Sequence, residues 1–187
     1  MKNNKSKELM QKFSIFFVLL VLIIVSSVMN PNFLSHRNIT NIAVQLAVAT
    51  ILAYGEMVLI VSGLLDLSSG AVLALAGVLS VSAYKATGSM ALAFAVSIGV
   101  AVIFNMINAL FVANFALPAF IVTLATQMAA RGLALLYTSG QNILQIGKYA
   151  VVGQGKIGPV PIPVIFTVLA TIIISYIMNQ TRLGRSF

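Results

Sequence analysis

The sequence predicts an all-α fold, a polytopic transmembrane helical bundle of about six helices, and three observations carry that reading. Of 187 residues, 60% are hydrophobic and only 7% charged, with a mean hydropathy of +1.05. That leaves too little polar surface to cover a soluble globule of this length. Apolar runs of roughly twenty residues recur with few charges inside them, long enough to cross a hydrocarbon core as helix. The period-2 alternation of a membrane β-barrel does not occur in the pattern, so helices are the way to satisfy the backbone in lipid.

The first run, about 13–29, follows the basic segment holding Lys2, Lys5, Lys7 and Lys12. It outlasts a signal-peptide core, and Asn30-Pro31-Asn32 offers no small-residue cleavage site, so a retained helix is expected. Turn-formers from Asn30 to Asn38 then make an outer connection. His36, alone beside Arg37, reads as a solvated loop residue with no support for a metal site.

A second helix, about 42–62, carries Gln45, Tyr54 and Glu56. A carboxylate near a helix centre costs on the order of 3 kcal/mol by insertion scales. Glu56 is therefore expected to face the bundle or a cavity, as a neutral or paired structural group or as part of a solute path.

The polar island Gly63-Leu64-Leu65-Asp66-Leu67-Ser68-Ser69-Gly70 separates this run from the next. Asp66 is one of only three acidic residues in the chain. A carboxylate and two hydroxyls ahead of Val72-Leu73-Ala74-Leu75-Ala76 fit the start of a helix, where free N–H groups and the dipole favour oxygen ligands. Two readings stand together here. Asp66 or Ser68 caps a helix, or the chain is broken at membrane depth, which is tolerated only where protein or a water-filled cavity surrounds it.

The third helix, about 69–84, offers the small surfaces of Gly70, Ala74 and Gly77 or Ala76 for close packing. The fourth, about 90–114, carries Asn105 and Asn108 three apart on one face, candidates for hydrogen bonds between helices or for the path. The fifth, about 118–138, opens on Pro118 and holds Thr123, Thr126, Gln127 and Arg131. Arg131 either snorkels to the outer interface or is buried against Glu56 or Asp66.

Residues 140–163 form the longest stretch outside the membrane. Gly153-Gln154-Gly155-Lys156-Ile157-Gly158 matches the spacing of a dinucleotide fingerprint, but Gly158-Pro159-Val160-Pro161 cannot open the required helix, so the match is rejected. The last helix, about 162–179, leads to Arg182 and Arg185.

The net charge of +8 forms no basic stripe with interleaved aromatics, so nucleic acid is not an expected partner. The basic clusters at both ends place both termini in the cytoplasm and require an even number of crossings. The chain has no cysteine, which excludes disulfides and thiol chemistry. The whole of 1–187 reads as one transmembrane domain.

Five blocks occur in a recognisable order: Pro31-Asn32-Phe33-Leu34-Ser35; the Gly63 to Gly77 stretch; Pro118-Ala119-Phe120-Ile121-Val122-Thr123-Leu124 with Arg131-Gly132-Leu133; Tyr137-Thr138 with Gly140; and Thr181-Arg182-Leu183-Gly184-Arg185. Together they resemble the ribose-type permease family, membrane subunits of bacterial ATP-binding-cassette importers for monosaccharides, related to branched-chain amino acid permeases. The sequence departs from that pattern with Leu64 where a glycine is usual, Ser69 where a valine is usual, and Glu56 where an apolar residue is common. Family members also continue past the last block with a glycine-rich cytoplasmic segment and more helices. The resemblance thus covers their N-terminal part only, and implies that most of the ATPase-docking segment lies beyond it.

The resemblance implies a non-enzymatic permease subunit in the bacterial cytoplasmic membrane, embedded in membrane lipid. It implies no cofactor bound by this chain, since separate ABC ATPase subunits would hydrolyse ATP. An extracytoplasmic sugar-binding protein and a second permease copy, identical or not, would complete the importer. Glu56, Asp66, Ser68, Ser69, Asn105 and Asn108 are the candidate path residues. Two other classes fit the residues: an ion- or proton-coupled transporter using Glu56, Asp66 and Arg131 as a titrating relay, and a non-transporting membrane scaffold.

Overall fold

A computed structural model describes residues 2–181 and Gly184, with side chains from Phe13 onward. Arg182 and Arg185, on which part of the expected orientation rests, lie outside the described residues, as do the side chains of Lys2, Lys5, Lys7 and Lys12. The fold is all-α. Its helices are α1 (Lys2–Met29), α2 (His36–Val61), α3 (Ser69–Thr87), α4 (Met90–Asn114), α5 (Ala119–Thr138), the short α6 (Ala150–Gln154) and α7 (Ile162–Gln180). Five of them, α2, α3, α4, α5 and α7, are long and apolar enough to cross a membrane. The apolar part of α1, Phe13–Met29, is shorter, so the sixth expected crossing rests on a run close to the lower limit of length.

The chain forms two compact units, Met1–Gln45 and Leu46–Phe187. In the first, Asn30 folds the connection after α1: its Oδ1 accepts the Asn32 N–H at 2.9 Å and its carbonyl accepts the Phe33 N–H at 2.9 Å. Ser35 then caps α2, its Oγ accepting the Asn38 N–H at 3.3 Å. The helix consequently begins at His36 rather than at the apolar Ile42, because a cap supplies what hydropathy does not see. His36 stands in that first helical turn, not in a loop.

In the second unit, α3, α4 and α5 make the packed core. Val72, Leu75 and Ala130 are buried together, with Leu79, Val100, Phe104 and Ala134 packed around them. The buried positions of α3, Val72, Leu75, Ala76 and Ser80, recur at helical spacing and form one stripe. Ala93 and Ala130 are fully buried because their small side chains let the helix backbones approach, which is how helices associate when lipid supplies no hydrophobic drive. Helix α7 joins α2 through hydroxyls: Thr167 Oγ1 donates to the Ala47 carbonyl at 3.1 Å, and Tyr54 Oη lies 2.8 Å from Thr171 Oγ1. Both contacts advance along both helices, so the paired parts of α2 and α7 run in the same direction.

The segment between α5 and α7 is not structureless. Ser139 (φ 52°) and Gly140 (φ 70°) turn the chain out of α5. A 3₁₀ turn, Gly147–Tyr149, and α6 follow, then a two-strand hairpin, β1 (Lys156–Ile157) with β2 (Val160–Pro161). Gly158, at φ 62°, occupies the first turn position of the hairpin, where a two-residue loop favours glycine. The rejected dinucleotide match therefore spans a helix end and a hairpin, not the strand-to-helix turn that would bind phosphate.

Tyr149 fastens this segment to α3. Its hydroxyl lies 2.7 Å from the fully buried Ser80 Oγ, and its ring meets that of Tyr84 at 5.6 Å between centroids. Tyr149→Phe is expected to remove about 1 kcal/mol of that attachment and to speed protease cleavage within 140–161 in membrane vesicles. An unchanged cleavage rate would mean the hydroxyl pair does not hold the segment down.

Candidate functional site

The site begins where α2 stops. Gly63, at φ 76°, adopts the left-handed conformation that ends helices, with its N–H bonded to the Ile60 carbonyl and the Leu64 N–H to the Leu59 carbonyl, both at 2.9 Å. The chain then runs without helix to α3. Asp66 organises the last part of it: Oδ1 accepts both the Ser68 N–H at 2.7 Å and the Ser68 hydroxyl at 2.6 Å. This carboxylate-centred turn sets a negative charge just ahead of the α3 N-terminus, where the helix dipole favours it. Ser68 occupies the N-cap position but its side chain makes no capping bond: its backbone is already helical, and its oxygen accepts from Asn108 instead of from an N–H of the first turn.

From Ser68 a chain of hydrogen bonds crosses the core. Ser68, 1% exposed, accepts from Asn108 Nδ2 of α4 at 3.1 Å. Asn108 Oδ1 in turn accepts from Thr126 Oγ1 of α5 at 2.5 Å, and both residues are buried. Thr123 Oγ1 shares its hydrogen between the Ala119 carbonyl of its own helix, 2.8 Å away, and the Leu65 carbonyl of the break, 3.3 Å away. The irregular backbone is thus held by side chains of neighbouring helices, the condition under which non-helical chain survives among apolar helices. On the other side, Ser69 Oγ donates to Glu56 Oε1 at 2.8 Å and ties the start of α3 to α2.

Two cavities flank the break. One, of about 440 Å³, is walled by apolar residues of α2, α3 and α4 and takes its polar lining mainly from Glu56, Asp66, Ser69 and Asn105. The other, of about 410 Å³, lies against Leu64, Leu65, Ala109 and Thr123 and also touches Asp66, Asn105 and Asn108. Carboxylate acceptors, a hydroxyl and an amide in an otherwise apolar cavity can exchange hydrogen bonds with a hydrated or polyhydroxylated solute without binding it tightly.

The six sequence-derived candidates therefore fall at one place, but in distinct surroundings. Glu56, Asp66, Ser69 and Asn105 face the first cavity, Ser68 is sealed in the core, and Asn108 links the core to the second cavity. Asn105 does not bond across helices as its partner Asn108 does: its Nδ2 donates to the Ala101 carbonyl of its own helix at 2.8 Å. Arg131 is exposed on α5 and lines neither cavity, so burial against Glu56 or Asp66 is not what the structure shows. Thr126 was missed as a site residue. Its signal lay in α5, where Val122, Thr126 and Ala130 recur every four residues and are buried on one face.

Residues 38–187 match the family described as branched-chain amino acid transport system / permease component. The chain is 35% identical over 179 residues to the ribose import permease protein of Bacillus subtilis, covering 94% of this chain and 56% of that protein. It is 32% identical over 194 residues to the ribose import permease protein of Haemophilus influenzae, covering 99% of this chain and 60% of that one. The D-allose transport system permease protein of Escherichia coli is 30% identical over 179 residues, 94% of this chain and 55% of that protein. The chain thus spans little more than half the length of these relatives. No solved structure matches it significantly. With five helices apolar enough to span a bilayer and this match over most of its length, the chain is a multi-pass membrane protein that belongs to the branched-chain amino acid transport system / permease component family.

Proposed function

We propose that the chain is the transmembrane permease subunit, or the N-terminal part of one, of an ATP-binding-cassette importer for a ribose-like monosaccharide. The observation that carries this reading is the break between α2 and α3, whose Asp66 is oriented by Ser68 and faces two cavities among apolar helices. The names of the relatives, ribose and allose permeases, support the solute class. In this reading the chain performs no covalent chemistry and holds no cofactor. ATPase subunits at the cytoplasmic face supply the energy, an extracytoplasmic binding protein delivers the sugar, and a second permease copy completes the path. Both termini lie in the cytoplasm of a bacterial cell, and the 140–161 segment faces outward.

Asp66→Ala, expressed at the normal level in the native host, is expected to lower uptake of labelled ribose about tenfold, the equivalent of losing one hydrogen bond to a charged group. Undiminished uptake would remove Asp66 from the path. A second reading, ion coupling, draws on Glu56 and Asp66 sharing one cavity. It requires uptake to collapse when an uncoupler is added while ATP is held constant, whereas an ATP-driven importer continues.

A further inference from the structure

The two cavities beside the break are related in an ordered way. The first uses α2 from Ile51 to Leu59 and the second takes only Leu59 from that helix. The first uses the chain from Asp66 to Ala76, and the second from Leu64 to Asp66. Along α4 the first runs from Ser97 to Asn105 and the second from Asn105 to Ala113. Three separate segments therefore change over from one cavity to the other at a single residue each: Leu59, Asp66 and Asn105. At 1.5 Å per residue each cavity occupies about 12 Å of α4, so they are stacked end to end along the helix.

From this we infer that the cavities are consecutive parts of one solute path along α4, and that Leu59, Asp66 and Asn105 form the partition between them. The inference rests on the permease reading for the identity of the solute, but not for the existence of the chambers. The second chamber lies at the end of the helices where the 62–68 and 115–118 connections are, since α2, α4 and α5 end or begin beside its lining. The partition combines one apolar side chain with two polar ones. Leu59 narrows and dries the passage, while the Asp66 carboxylate and the Asn105 amide offer a solute replacement hydrogen bonds as it passes. Asp66 is the rigid member, because both its turn and its contact with Ser68 fix Oδ1. Asn105 is spent on one bond to its own helix through Nδ2, which leaves the carbonyl side of the amide for a solute. The pair presents two acceptors, so it favours a solute with hydroxyl groups to donate, as a polyol has.

The chain contains no cysteine, so single cysteines report on it without background. Ser97→Cys places a thiol in the first chamber and Ala113→Cys in the second. A small membrane-impermeant thiosulfonate is added to vesicles from the side bearing the 62–68 and 115–118 connections. The thiol at 113 is expected to react readily and the thiol at 97 slowly. Adding Leu59→Ala is expected to speed reaction at 97 about tenfold while leaving 113 unchanged, because a hydrophobic constriction has been opened. Asn105→Ala, a milder change at the same level, is expected to speed it less but measurably. If the thiol at 97 reacts as fast as that at 113 before any partition residue is changed, or if neither Leu59→Ala nor Asn105→Ala alters its rate, the partition does not exist. Labelling needs no transport, so a partition that responds in vesicles from cells that import no sugar would separate failure of the sugar assignment from failure of this inference.

Discussion

Asn108→Leu is expected to lower the stability of the bundle by about 2 kcal/mol, because leucine fills the space but leaves the buried Thr126 hydroxyl without an acceptor and Ser68 without a donor. Direct hydrogen bonds between membrane helices contribute only about 0.6 kcal/mol on average, so most of the cost comes from stranded partners, not from the bond itself. That reasoning makes a sharper forecast. Thr126→Val alone is expected to cost about 1 kcal/mol, and the double variant Asn108→Leu/Thr126→Val less than the sum of the two, since no stranded hydroxyl remains on α5. Helix content followed through a denaturing-detergent titration in mixed micelles measures all three. Strict additivity would show that Asn108 and Thr126 are not energetically joined, and the hydrogen-bond chain from the break to α5 would lose its structural meaning.

The second large effect is steric. Ala130 is fully buried and touches Val72 and Leu75 where α3 meets α5. Ala130→Phe is expected to cost about 3 kcal/mol or to prevent recovery of folded protein, because a ring cannot enter without pushing the two helices apart. Met128, two positions away and 68% exposed, faces outward, so Met128→Phe is expected to be nearly neutral. Size-exclusion behaviour and thermal inactivation in detergent distinguish the two. Equal tolerance of both changes would mean that the α3–α5 interface is looser than its buried alanine implies.

These two forecasts also mark how far the sequence could be read. That Asn105 and Asn108 need hydrogen-bond partners was visible, since two amides sit in an apolar helix. That only Asn108 bonds across helices was not. Residues three apart on a helix differ by about 60° around its axis. That rotation puts one amide between α3 and α5 and the other at the cavity wall. Glu56 and Ser69 were each legible as costly polar groups in apolar surroundings, but their mutual contact depends on how α2 lies against the start of α3. The pairing of Ser80 with Tyr149 has no sequence signal. A single serine in an apolar helix and a tyrosine in a glycine-rich connection carry no mark of each other when 69 positions separate them.

The sequence by itself determined the solvent, the element type and the place of the break. Runs of apolar residues in lipid must be helical to satisfy their own backbone, and a glycine followed by a carboxylate and two hydroxyls stops one helix and starts another. Tertiary structure alone decided which polar groups meet, which alanines are pressed between backbones, and that two cavities change over at the same three residues. The reason is that a membrane helix is apolar on its buried and its lipid-facing sides alike. Hydrophobic patterning, which orients a helix in water, leaves its rotation open here, and only the packing of α3 against α4 and α5 settles it.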